Sequence, residues 1–395
     1  MLTLNEKPDR PASPEPAKFA LFALGFRPFY LLASAFAALA IPVWVLVLSN
    51  IVSLPIPGVL WHAHEMIFGF AVAVIVGFLF TAGRNWTGLP TPTGGKLAAL
   101  AGLWLLGRLG MAFSGGALAA LIDVAFLPAA AIALALVLIK AESRRNYFII
   151  VLLSVLALAN ASFHLARFDL LALDPLRPLW FALGLITVLE TVIGGRVIPM
   201  FSATALRGVK QWQNRRFEIS AIAMTAIALL LWVLELTVIG APVAALAAAL
   251  QFARCIGWNP WAARRAPMLW ILHIAHLWIP VGLTLLALVQ WGVLPPSAGI
   301  HALAIGATGG LIIGMITRTA LGHTGRMLVA GKIEISAYVL VQLAAVSRVL
   351  TMIAFPSLVL SGIHLAAMLW ALAFGLYFIR YLPWLVRARP DGRPG

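Results

Sequence analysis

Twelve apolar runs of 17 to 28 residues, separated by short polar connections, leave this chain few ways to fold. A helix crosses the hydrocarbon core of a bilayer with roughly 20 apolar residues. The runs lie near 22–49, 64–83, 97–113, 117–139, 147–168, 178–199, 218–238, 240–258, 267–289, 297–318, 333–355 and 358–384. Composition agrees, since 62% of the 395 residues are hydrophobic and only 10% are charged, where a soluble domain carries about 25% charged residues. The chain reads as an all-α polytopic membrane protein, a bundle of about twelve transmembrane helices forming one domain over 21–386, between short tails at 1–20 and 387–395. A secreted domain, a disordered chain and a soluble enzyme with one or two anchors are excluded.

The formal charge of +15 comes from 28 Lys and Arg against 13 Asp and Glu. On a soluble protein such an excess points to nucleic acid, but here too little polar surface remains for a nucleic-acid-binding face. The basic residues instead alternate from one connection to the next. With the N-terminus inside, the inner segments carry Arg84 and Lys96; Lys140, Arg144 and Arg145; Arg207, Lys210, Arg215 and Arg216; Arg254, Arg264 and Arg265; Arg326 and Lys332; and Arg387, Arg389 and Arg393. The outer connections carry none except Arg177, which is accompanied by Asp169 and Asp174. The positive-inside rule therefore places both termini in the cytoplasm. The first apolar run is too long for a signal peptide and has no cleavage pattern behind it, so it reads as a retained helix. A single cysteine, Cys255, excludes a disulfide framework and multi-thiolate metal chemistry.

Ionisable groups are costly in a bilayer, so each one needs a reason. Five of the eight histidines fall in one outer layer: His62 and His64 opening the second span, His164 late in the fifth, His301 opening the tenth and His364 early in the twelfth. His273 and His276 enter the ninth span from the inside, roughly 9 and 14 Å deep, and share a helical face. Helix bundles build metal and haem sites from ligands converging on their core, and imidazole suits both haem iron and copper. His62, His64, His164, His301, His273 and His276 are thus candidate metal ligands. His62 and His64, about 200° apart on a helix, bind one ion together only if the backbone there is not helical. Asn160 lies four residues before His164, within reach to orient it. Arg108 and Asp123 are at similar depth and are expected to pair. Arg108, Arg167 and Arg348 are candidates to hold haem propionates, because a guanidinium meets a carboxylate bidentately. Glu65 and the mid-membrane Glu190 are candidate proton relays. Gly306, Gly310 and Gly314, four residues apart, predict close helix packing. No CxxCH motif is present, so any haem is held non-covalently, as b-type haem is.

Several motifs resemble the NnrS family. They are Phe22-Ala-Leu-Gly-Phe-Arg-Pro-Phe-Tyr30, Trp61-His-Ala-His-Glu-Met66, Asn85-Trp-Thr-Gly88, Gly195-Arg-Val-Ile-Pro-Met-Phe201, Leu269-Trp-Ile-Leu-His273 and Arg318-Thr-Ala-Leu-Gly-His-Thr-Gly-Arg326. They follow the family's order and span nearly the whole chain. His276 and His364 lie outside them. The resemblance implies a bacterial inner-membrane protein with twelve spans that contains haem and copper and is associated with nitric-oxide metabolism and resistance to nitrosative stress. It leaves open which histidine holds which metal. A weaker similarity connects His64-Glu-Met-Ile-Phe-Gly-Phe70 to the second helix of haem–copper oxidase and nitric-oxide reductase catalytic subunits. This chain departs from them in lacking an adjacent His-His pair and a His-x-His on the tenth span.

The leading functional reading is a haem- and copper-containing protein whose partners are nitric oxide, an electron donor and the surrounding lipid. The alternatives are a secondary transporter, which would gather its charges at the midplane, and a haem or metal sensor without turnover. The topology has a direct test. A fluorescent protein fused after residue 395 should fold and emit, and alkaline phosphatase at the same position should be inactive; active phosphatase there would invert the assignment.

Overall fold

The computed structural model describes residues 19–391. Most of the two expected tails, including Lys7, Arg10, Lys18 and Arg393, lies outside the described residues. Within them, twelve helices are long and apolar enough to cross a membrane: α1 (Phe26–Leu48), α2 (Gly58–Thr87), α3 (Gly94–Phe113), α4 (Ala117–Lys140), α5 (Arg144–Arg167), α6 (Leu176–Ala205), α7 (Arg215–Val233), α8 (Thr237–Gly257), α9 (Pro267–Gln290), α10 (Pro296–His323), α11 (Lys332–Ala354) and α12 (Pro356–Val386). The count and the order of the spans are those expected from the apolar runs. No strand occurs among the described residues. The protein is a polytopic all-α bundle.

Two helices extend well beyond their apolar runs. α2 begins at Gly58, directly after Pro57, so His62 and His64 lie inside a helix rather than at its mouth. α6 continues past Pro199 to Ala205; neighbouring helices in a membrane bundle can compensate the backbone bond that proline removes. Periodicity does not reveal two further departures. Glu65–Ala71 in α2 and Ala302–Gly309 in α10 wind as π-helix, each beginning directly after a histidine. Such segments are rare and recur at functional sites.

α2, α9 and α10 are the most enclosed helices, and α12 returns to pack along α1. The glycines expected to permit close packing do so: a Cβ at Gly310 would stand 2.7 Å from the Ala275 side chain, and one at Gly314 would stand 2.8 Å from Leu272. Contact this close between α9 and α10 favours association where lipid supplies no hydrophobic drive between helices. At the end that carries the basic connections, the buried Arg27 donates to the carbonyls of Leu385 and Arg387, both at 2.8 Å. A cation there satisfies carbonyls at the C-terminus of α12 and meets the negative end of its dipole. At the opposite end, Arg177, the one basic residue that breaks the charge pattern, pairs with Glu235 in the α7–α8 connection.

Arg27→Ala should therefore fray the end of α12. The expected loss is about 1.5–3 kcal/mol, the value of a hydrogen bond to a charged group, read as a lower unfolding midpoint in detergent and faster proteolysis after residue 381. Unchanged proteolysis would show that α12 is held otherwise.

Candidate functional site

The helical backbone at His62 and His64 sends the two rings to opposite sides of α2. Two separate histidine pairs result, one in a closed polar cluster and one on a cavity.

The closed cluster joins α2, α3, α4 and α5. Asp123 of α4 is its centre: Oδ2 lies 2.9 Å from His164 Nε2 and 3.2 Å from His64 Nε2, and it accepts from Asn160 Nδ2 at 2.8 Å. Arg108 of α3 pairs with Asp123 as expected, and it also donates to Glu65 Oε1 at 2.6 Å. His64 is held from both sides, with Nδ1 2.9 Å from Glu65 Oε1 and Nε2 2.9 Å from Asn160 Oδ1. Asn160 thus orients His64 rather than His164, its neighbour on α5. His164 is positioned by Asp123 and by Arg167, whose Nε donates to Nδ1 at 3.1 Å while its other arm donates to the Gly115 carbonyl at 2.7 Å. His64, Glu65, Arg108, Asp123, Asn160 and His164 are all buried. Ligand atoms of His64, Asp123 and His164 lie within 4.8 Å of one another, and among the described residues this is the group of three donors that could hold a metal ion.

The second pair lies across α2. His62 stacks on Trp44 of α1 at 4.1 Å between ring centroids, and 6.3 Å away lies His301 of α10, its plane within 14° of the His62 plane. Both line a cavity of about 490 Å³, walled by Trp180, Met66, Phe70 and Trp370 and reached by Arg348 of α11. The two π-helical segments supply facing parts of the wall. Ser297, one turn before His301, organises the polar side. Its carbonyl accepts from His301 Nδ1 at 2.7 Å, and its hydroxyl accepts from Arg348 at 2.9 Å. A proton on His301 Nδ1 leaves Nε2 with its lone pair, the form in which imidazole binds metals. Arg348 NH1 and His62 Nδ1 are buried without a hydrogen-bond partner.

Of the remaining candidates, Glu190 lies midway along α6, lining a smaller cavity of about 100 Å³. His273 Nε2 meets Ser202 Oγ at 3.1 Å. His276 is fully buried between Trp258 and Gly194. Neither belongs to a three-donor group among the described residues. His364 is exposed and bonds its own helix at Leu360 O, 2.7 Å away. The expected outer layer of five histidines thus divides into two pairs and an outlier. Ser297 was missed, although its spacing of four residues from His301 matches that of Asn160 and His164. Trp44 and Trp180 give no signal in the sequence beyond that of any interfacial tryptophan.

The family described as NnrS protein matches residues 20–389. The chain belongs to the NnrS family. Comparison with curated proteins gives no match. The matched region contains both histidine pairs, both cavities and all twelve helices, so the NnrS assignment applies to the whole bundle.

The closed cluster yields a stability prediction. Asp123→Asn leaves the Arg108 guanidinium without its central counter-charge, and breaking a buried pair costs about 3–5 kcal/mol. The unfolding midpoint in detergent should fall sharply; an unchanged midpoint would show that the pair contributes no net stability.

Proposed function

We propose that this NnrS protein is a haem- and copper-containing inner-membrane protein that binds or transforms nitric oxide in the cavity between His62 and His301 and contributes to resistance to nitrosative stress. The observation that carries the reading is the convergence of two imidazoles from different helices on one cavity beside an arginine. Its volume of about 490 Å³ falls among ligand pockets, which run from about 300 to 1,000 Å³.

The residues present fit the groups that the family implies. His301 offers Nε2 while Ser297 holds its other nitrogen, and His62 is braced by Trp44. Arg348 has one guanidinium nitrogen bound to Ser297 and another buried without a partner, which suits a carboxylate such as a haem propionate. Arg108 is already matched to Glu65 and Asp123, and Arg167 to His164 and Gly115, so Arg348 is the best placed of the three for that role. Copper would fit His64, His164 and Asp123, whose donor atoms lie within 4.8 Å of one another, with Glu65 holding His64 at its other ring nitrogen. Haem iron would supply an open position for the gas, and copper a one-electron couple. The chain itself orients His301 through Ser297, places a cation at Arg348 and lines the cavity with tryptophan and aliphatic side chains. Following the basic connections, we place the histidine-bearing end outside the cytoplasm and both termini within it.

The test is an optical spectrum of the purified protein, oxidised, reduced with dithionite, and reduced under nitric oxide, with iron and copper analysis of the same sample. A Soret band that shifts with the gas is expected. His62→Ala and His301→Ala should lose haem and His164→Ala should lose copper, while His364→Ala keeps both. A colourless, metal-free protein expressed with ample haem and copper would overturn the proposal, as would full haem content in both cavity variants.

A further inference from the structure

Below the outer cavity runs a line of buried polar groups that are incompletely bonded. Both ring nitrogens of His276 are buried with no hydrogen bond, and the buried Glu190 carboxyl has the Thr308 hydroxyl as its side-chain partner. Buried polar groups are normally paired, and an unpaired one in a native protein calls for a functional explanation. The need is greater in a membrane, where such a group is expensive.

These atoms are ordered along one path. Glu190, Gly194, Ile198 and Ser202 recur every four residues on α6 and so share a face. At the basic end of that face, Ser202 meets His273 of α9. Three residues further along α9, His276 packs against Gly194, where a Cβ would stand 2.7 Å from Nδ1. Only glycine lets the ring come so close to α6. Gly194, Glu190 and Thr308 then border the 100 Å³ cavity. Thr308 and Ile186 border the outer cavity as well, so the two cavities meet there. The stretch from Ser202 to Glu190 covers about 18 Å of helix. The charged groups beside it are Arg254 and Glu218, paired at 2.5 Å, with Arg254 over the Trp258 ring that packs on His276.

We propose that His273, His276, Glu190 and Thr308 form a proton path from the basic end of the bundle to the outer cavity. An imidazole accepts a proton at one nitrogen and releases another from the second, and carboxyl and hydroxyl groups exchange one O–H for another. One proton enters at the basic end and one leaves into the outer cavity; only N–H and O–H bonds form and break, and no electron moves. His273 and His276 act as carriers rather than as metal ligands. The inference deepens the reading of the outer cavity as the reaction site.

Infrared spectroscopy on the full-length protein tests it without reference to any cofactor. The carboxylic-acid band of Glu190 is the one removed by Glu190→Gln, and its shift after transfer to D₂O times the exchange of its proton. Thr308→Val closes the side facing the outer cavity, and exchange should remain fast through His276. Adding His276→Leu should slow it about a hundredfold, the scale at which a missing acid–base group retards proton transfer. Gly194→Ala, which displaces the ring without removing it, should slow exchange in the same background if the leucine variant does not fold. Exchange as fast as in the Thr308→Val parent, or no acid band lost in Glu190→Gln, would overturn the path. A colourless protein with His276-dependent exchange would keep the path and reject the haem.

Discussion

The ion pair between Arg108 and Asp123 is the point on which the histidine-bearing half of the bundle depends. Between lipid-embedded helices there is no hydrophobic drive to associate, because lipid is as apolar as leucine. Polar contacts must therefore supply much of the specificity. Asp123 reaches α2, α3 and α5 at once, through His64, Arg108, Asn160 and His164. Any rotation of α4 would leave several buried polar groups unsatisfied together, which is why one arrangement is favoured. Rigidity of this kind is what a metal site requires of its surroundings.

That rigid cluster also sets the direction of α2. Once His64 is held between Glu65 and Asn160, the helical backbone turns His62 to the other side, toward Trp44 and His301. The π-helical turn that follows, Glu65–Ala71, contributes Met66, Ile67, Phe70 and Ala71 to the cavity wall. α10 repeats the device, with His301 preceding its own π segment and Thr308 near the end of it. In both helices the irregular backbone lines a cavity, the setting in which a membrane core tolerates it. The two sides of α2 thus have different characters, a closed ionic cluster on one and a hollow on the other.

The incompletely bonded groups continue inward from that hollow. Arg348, His62 and His276 each carry a buried polar atom without a partner, and Glu190 is left with Thr308 as its side-chain partner. The larger cavity and the Glu190 carboxyl belong to one continuous tract, because Ile186 and Thr308 border both cavities. The apolar walls raise the cost of each uncompensated group, so their alignment is better explained by transport or chemistry than by packing.

Hydropathy and charge alone identified the twelve helices, their order and the chemical identity of the candidates, because span length is set by bilayer thickness and can be read residue by residue. The pairing of Arg108 with Asp123 was legible for the same reason, since two buried opposite charges at one depth have few other partners. The division of the histidines was not. His62 and His64 are separated by two residues, and only the early start of α2 after Pro57 decides that they face different helices. Asn160 and His164 share a face of α5, yet the helix rotation that serves Asp123 gives the amide to His64. Ser297 and Thr308 become significant only when α10 is set against α6 and α11. Depth in a membrane is a one-dimensional quantity that a sequence carries directly, whereas rotation about each helix axis is settled by which polar groups find partners across the bundle.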